Sequence, residues 1–446
     1  MTTRLDYVVE PGGTVGGSVA VPGDKSISHR AVMLGALAEG TTTVSGFLEG
    51  GDCLATRDAF RAMGVRIEHP APGRLELRGV GLHGLRPPGR PLDLGNSGTS
   101  MRLLAGLLAA QRFDSVLTGD ASLSRRPMRR VIEPLRRMGA HIDAGPEGTA
   151  PLRITGGRHL HGVDYVMPVA SAQVKSALLL AGLYAEGETR VREPGMSRDH
   201  TERMLEAFGA DLVRDADGVC LRPGRVLAGR QIAVPGDISS AAFLFVAAAI
   251  APGSDLTVRR VGINPTRTGV LDVLREMGAD IAVAPATDAG GEPVADIRIR
   301  HRPLRGVRIR AEVVPRAIDE FPALFVAAAC AEGETRLTGA RELRVKESDR
   351  IQVMAEGLAA LGIDAHPLED GILIRGGGLG GGVVDSGGDH RVAMAFAVAA
   401  LRADGPVEVR DCANVGTSFP GFVSLLASCG LRIRTREAAG APGGEA

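Results

Sequence analysis

Ala62-Met63-Gly64-Val65 is the first of six short segments that decide how this 446-residue chain folds. It is echoed by Arg137-Met138-Gly139-Ala140, Ala207-Phe208-Gly209-Ala210, Glu276-Met277-Gly278-Ala279, Ala360-Leu361-Gly362-Ile363 and Ser428-Cys429-Gly430-Leu431. The turn glycines stand 75, 70, 69, 84 and 68 residues apart. In each segment a helical run ends in a small turn and leads into a strand. Upstream of five of them lies an Ala/Leu-rich run closed by a glycine (Gly40, Gly187, Gly253, Gly333, Gly405), then a Thr/Val-rich strand; the second copy has Ala105–Gln111 and no glycine there. Glycine just past a helix supplies the left-handed cap that lets the chain turn into a strand. Each unit reads as buried helix, strand, amphipathic helix, strand, with room for one strand more.

A second symmetry sits above the first. Val21-Pro22-Gly23-Asp24 returns as Val234-Pro235-Gly236-Asp237, 213 residues later, and both copies open an Ala-rich helix. This predicts an α/β (α+β) chain of two lobes with three units each. Residues 21–235 form the N-terminal lobe; residues 236–435, completed by 1–20, form the C-terminal lobe. The tail 436–446, made of Arg, Glu, Ala, Gly and Pro, is expected to be disordered. A ligand cleft is expected between the lobes, with closure excluding water.

Net charge is zero, from 52 basic and 52 acidic residues, which argues against nucleic-acid binding by bulk electrostatics. Five cysteines without a C-x-x-C pair predict reduced thiols in the cytosol. The longest apolar run, Ala241–Ala251, is too short for a bilayer, and no signal segment opens the chain. The expectation is a soluble cytoplasmic protein. No H-E-x-x-H or similar spacing suggests a metal, and no G-x-x-x-x-G-K-[ST] loop is present. Gly79-x-Gly81-x-x-Gly84 and Gly376-x-Gly378-x-x-Gly381 open no helix, so no dinucleotide cofactor is expected.

Only three of the 52 basic residues are lysines: Lys25, Lys175 and Lys346. Where arginine is the default cation, a retained lysine marks a place that needs a compact, titratable ammonium. Lys25, Ser26 and Arg30 crowd one helix start, where free backbone N–H groups and the helix dipole favour an anion. Leu94–Arg102 is a glycine-rich turn entering a helix, around Gly98. Arg126 is held against Pro127 in a run of arginines. Ser171 and Gln173 open another helix beside Lys175, and Arg198 follows a Pro-Gly turn. Asp319 and Glu320 precede the most apolar helix; Lys346, Glu347 and Arg350 form the densest charged stretch; Arg391 opens the last Ala-rich helix. Cations at several helix starts point to more than one anionic group in one cleft. Asp319, Glu347, Lys25 and Lys346 remain for proton transfer, which suits a transferase or isomerase of phosphorylated carboxylic acids.

P-G-D-K-S-I-S-H-R, L-G-N-S-G-T, R-R-P-M, S-A-Q-V-K-S-A, I-D-E-F-P, R-V-K-E-S-D-R and D-H-R together resemble the 5-enolpyruvylshikimate-3-phosphate synthase (3-phosphoshikimate 1-carboxyvinyltransferase) family, closer to its second class. The resemblance implies the enolpyruvyl transferase fold: two domains, each of three βαβαββ units around buried parallel helices. It implies transfer of the enolpyruvyl group of phosphoenolpyruvate to the 5-hydroxyl of shikimate 3-phosphate, with no cofactor and no metal, by a monomer. Lys25, Arg126, Arg350 and Arg391 resemble the clamp on phosphoenolpyruvate, with Gly98 closing over it and Gln173 beside it. Ser26, Arg30, Ser171, Gln173 and Arg198 resemble the shikimate 3-phosphate contacts, which Lys25, Asp319 and Lys346 border. Asp319 would accept the 5-hydroxyl proton; Glu347, assisted by Lys25, would handle the proton at the enol methylene. Two departures are Leu103, where many relatives carry proline, and Thr417, where many carry lysine. Gly98 in place of alanine implies sensitivity to glyphosate. The alternatives are a UDP-N-acetylglucosamine enolpyruvyl transferase, which usually carries a loop cysteine absent from Ser122–Arg130, and a non-catalytic phospho-metabolite sensor, against which Asp319 and Glu347 both stand.

Overall fold

The computed structural model describes residues 3–215 and 217–439. The chain separates into two compact units. One comprises Gly23–Pro235 together with Asp288–Pro293; the other comprises the segment up to Pro22, Gly236–Thr287 and the chain from Val294 onward. Each has its own hydrophobic core.

In the first unit three inner helices, Lys25–Leu37, Gly98–Ala109 and Ala172–Gly182, are buried beyond their opening residues. In the second, Ile238–Ile250, Phe321–Ala329 and His390–Ala399 are buried along their whole length. A helix that is apolar all round has no face to offer water, so it goes inside. The outer helices Gly51–Ala62, Arg129–Arg137, His200–Phe208, Gly269–Glu276 and Arg350–Ala360 bury one face each. All six repeat glycines, from Gly64 to Gly430, take positive φ as the turns require. Gly405 does not; there the inner helix runs on into a 3-10 turn, Ala400–Arg402, before the next strand.

Among the described residues, six small sheets share one plan. Leu92–Asp93 pairs in parallel with Ser115–Thr118, which pairs antiparallel with Leu152–Thr155, which pairs antiparallel with His141–Asp143. With Gly98–Ala109 and Arg129–Arg137 between them these strands make the expected βαβαββ unit. Strand residues alternate between exposed and buried, as in Thr41–Ser45, so each sheet turns one face to the inner helices. Gln231–Ala233 closes the first unit's own ring by pairing with Thr41–Ser45. Gly16–Ala20 pairs with Asp255–Gly262, and Thr3–Val9 lies between Val407–Arg410 and Ile433–Ala439.

That last pairing changes the expectation for the tail. The strand continues through Arg436 to Ala439, because residues from Thr3 onward offer it an antiparallel edge with Thr3 opposite Ala439. Residues 440–446 lie outside the described residues. The grouping of Asp288–Pro293 with the first unit was not anticipated; there Glu292 Oε1 lies 2.7 Å from His200 Nδ1, and Arg203 donates to Gly291 O at 3.0 Å. All five cysteines are free thiols. Among the described residues no helix is long and apolar enough to cross a membrane, and no His/Cys/Asp/Glu group could hold a metal.

Candidate active site

In the first unit the Pro22-Gly23 turn admits only glycine, since a Cβ at Gly23 would lie 1.8 Å from Gly46 O. Asp24 then caps the helix by accepting the Ile27 N–H at 2.9 Å, which sets Lys25 and Ser26 in its first turn. Lys25 ion-pairs with Asp52 at the start of Gly51–Ala62. Arg30, one turn on, faces inward and donates to Ser26 O at 2.9 Å, Ser176 Oγ at 2.8 Å and Thr201 Oγ1 at 2.6 Å. Burial pushes its pKa down to about 10 against the pull of Glu202 and Asp24, so it keeps its charge at neutral pH. It locks three elements together around Ser26.

Ser171 caps Ala172–Gly182 by accepting the Val174 N–H at 3.4 Å. Gln173, two residues on, accepts from Arg102 Nη1 at 2.6 Å and donates to Thr99 Oγ1 at 3.1 Å. Arg126 donates to Asn96 Oδ1 at 2.5 Å and Ser122 Oγ at 3.2 Å. Gly98, the first residue of its helix, sits between these guanidiniums: a Cβ there would lie 3.0 Å from Arg102 Nη1 and 3.2 Å from Arg126 Nη1. Arg102 has no role in the sequence reading above, although a charge inside an Ala/Leu helix was a signal that it must be paired. Arg198 is half-buried ahead of His200–Phe208, near enough to Arg30 for the two charges to oppose each other. Lys175 is drawn elsewhere: it is buried in an ion triad with Glu193 and with Glu202, whose carboxylate is 2.6 Å away.

The second unit gathers the acids. Arg350 is fully buried and holds three carboxylates: Asp389 at 2.8 Å, Glu347 at 2.7 Å and Asp319 at 3.4 Å. Burial opposes its charge, but the three acids outweigh that and raise its pKa above the usual arginine value. Asp389 is itself the cap of the last inner helix, accepting the Arg391 N–H at 2.9 Å, and Arg350 holds its carboxyl below the usual range despite burial. Arg391 Nη1 donates to Asp319 O at 3.2 Å. Lys346 lies 3.6 Å from Glu342; burial lowers its pKa against the opposing pull of Asp319, Glu342 and Glu347. Glu320, beside Asp319, is completely buried, accepts the Ser239 hydroxyl and lies 3.7 Å from Arg267. Both contacts anchor the residue next to Asp319, at the start of the most apolar helix.

The first unit thus fixes cations and polar groups at helix starts, and the second gathers three carboxylates, two of them partly exposed, on one buried arginine, with a perturbed lysine nearby. The fold is that of the enolpyruvyl transferase NikO from Streptomyces tendae, which superposes with a TM-score of 0.80 over 98% of this chain and 100% of its own, at 18% identity, a likeness of fold alone. The family is narrower. The family model of EPSP synthase (3-phosphoshikimate 1-carboxyvinyltransferase) matches residues 9–426, and the chain belongs to that family. A 3-phosphoshikimate 1-carboxyvinyltransferase of Methylococcus capsulatus is 67% identical over 96% of this chain and 98% of its own length. That of Halorhodospira halophila is 67% identical over 96% and 97%. The solved EPSP synthase from Acinetobacter baumannii superposes with a TM-score of 0.87 at 56% identity, covering 98% of this chain and all of its own.

Proposed function

We propose that this chain transfers the enolpyruvyl group of phosphoenolpyruvate to the 5-hydroxyl of shikimate 3-phosphate and releases phosphate. The observation that carries the reading is the pairing of Asp319 and Glu347 on the buried guanidinium of Arg350. The reaction moves two protons, one off the attacking hydroxyl and one on and off the enol methylene, so it needs two neighbouring carboxyl groups held in place, and the Arg350 guanidinium holds both. Asp319 accepts the 5-hydroxyl proton as oxygen attacks C2. Glu347, with Lys25, supplies the proton to the methylene and removes one when phosphate leaves. Lys25, Gly98, Arg126, Gln173, Arg350 and Arg391 take phosphoenolpyruvate. Lys25, Ser26, Arg30, Ser171, Gln173, Arg198, Asp319 and Lys346 take shikimate 3-phosphate. A tetrahedral adduct with two phosphates and two carboxylates needs this many fixed cations, because their charge is in place before it forms.

The chain acts as a monomer in the cytoplasm and, with glycine at position 98, is inhibited by glyphosate; normal turnover at millimolar glyphosate contradicts that last point. The function itself is tested by phosphate release from phosphoenolpyruvate with shikimate 3-phosphate or UDP-N-acetylglucosamine as acceptor. Release with the shikimate acceptor alone is expected. Release only with the nucleotide sugar, or binding without release, overturns the reading.

A further inference from the structure

We propose that His29 is a positioning residue for the phosphoenolpyruvate end of the site, acting through a buried chain of hydroxyl groups that ties the Lys25 helix to the Gly98 turn. This rests on the functional reading above. His29 Nδ1 lies 2.7 Å from Thr56 Oγ1, Thr56 Oγ1 lies 2.6 Å from Ser100 Oγ, and Ser100 Oγ lies 2.6 Å from Ser97 Oγ. Ser97 also accepts the Ser100 N–H at 3.1 Å, as cap of the helix that begins at Gly98. All four residues are completely buried. One line of hydrogen bonds therefore runs from the helix that Lys25 opens, through Gly51–Ala62, to the residue just before Gly98. The same outer helix holds Lys25 through Asp52, one turn before Thr56.

Burying four polar groups gains little net stability, since each exchanges a bond to water for a bond within the protein. Directional bonds do fix one spacing where Ala and Leu contacts tolerate sliding. His29 is suited to that and not to moving protons. Burial, reinforced by Lys25 and Arg30, holds its pKa well below the usual value, so the ring is neutral. Its Nε2 is buried without a hydrogen-bond partner among the described residues, which leaves Nδ1 as the working end. The ring anchors the chain, and the chain places the Gly98 turn, assigned here to phosphoenolpyruvate alone, against the Lys25 helix, whose own start stays pinned by Asp24 and Asp52.

The test compares the wild type with His29→Leu, His29→Asn and Thr56→Val, measuring kcat, the KM of each substrate and the Tm. Leucine fills the space without a bond; asparagine sets an amide near the Nδ1 position and remakes it. His29→Leu and Thr56→Val are expected to raise the KM of phosphoenolpyruvate about tenfold while that of shikimate 3-phosphate stays within about twofold. His29→Asn is expected to restore most of the loss. An unchanged phosphoenolpyruvate KM in Thr56→Val, or an equal rise for both substrates, overturns the proposal; if His29→Leu does not fold, Thr56→Val at wild-type Tm decides. A wild type that releases no phosphate from the two substrates defeats the functional reading and this proposal with it. An active wild type with unmoved variants defeats the proposal alone.

Discussion

The same four residues, Val-Pro-Gly-Asp, open an inner helix in both units and lead to opposite ends. After Asp24 come Lys25 and Ser26, both only half-buried, in a helix start whose neighbours are arginines and hydroxyl groups. After Asp237 come Ile238 and Ser239, both buried; Ser239 donates to Glu320 and accepts from Arg267 at 2.8 Å. Asp24 caps through the Ile27 N–H, Asp237 through the Ser239 N–H at 2.8 Å. One helix start keeps a partly exposed cation paired with Asp52, and its counterpart is sealed by an internal ion cluster. The second unit's carboxylates around Arg350 come instead from the starts of its other two inner helices and from the 346–350 stretch. A repeat fixes where helix starts lie; the two side chains after the cap decide whether a start stays partly open or is sealed within the fold.

On the proposed reading both proton-transfer carboxylates, Asp319 and Glu347, belong to the second unit, and that assignment can be broken. Asp319→Ala and Glu347→Gln are each expected to lower kcat by about 10³-fold or more, within the range of a lost general acid or base, with shikimate 3-phosphate still binding by calorimetry. Loss of binding in place of turnover would reverse the assignment. Arg350→Met strands three carboxylates around a buried apolar group and is expected to cost about 3–5 kcal/mol, read by denaturant unfolding. A stability near wild type would mean that the three acids find other partners.

Two matched substitutions sharpen the comparison. Ser26→Ala is expected to raise the KM of shikimate 3-phosphate about tenfold at unchanged Tm, the loss of roughly one hydrogen bond. Ser239→Ala, its counterpart in the sealed start, is expected to cost about 1–3 kcal/mol of stability, since it removes a donor from buried Glu320. The smallest effect concerns pH. Burial lowers the Lys346 pKa, so its ammonium is lost at a lower pH than an ordinary lysine's, and substrate affinity falls as pH rises through that lowered value. Lys346→Arg keeps its charge and is expected to move that alkaline limb upward; an unmoved limb assigns it to another group.

The repeat was legible because its turns demand glycine, and all six glycines adopt the conformation the spacing predicts. The sequence also marked Asp319, Glu347 and Arg350, which the fold joins. It did not show what distant partners decide. Lys175 looked functional by the rarity of lysine, yet Glu193 and Glu202 claim it from another sheet turn and helix. Arg102 and His29 meet partners 71 residues away in sequence, and no local pattern reports such meetings. The end of the last strand was misjudged for the same reason: composition suggested disorder from Arg436, while the partner strand lies at the opposite end of the chain.

The most direct measurement follows exchange of the phosphoenolpyruvate methylene hydrogens with deuterium oxide by NMR, in the presence of saturating shikimate 3-phosphate. Exchange is predicted in the wild type and in Ser26→Ala, and is predicted to vanish in Glu347→Gln. Exchange at the wild-type rate in Glu347→Gln would contradict the claim that the second unit's acids carry the proton.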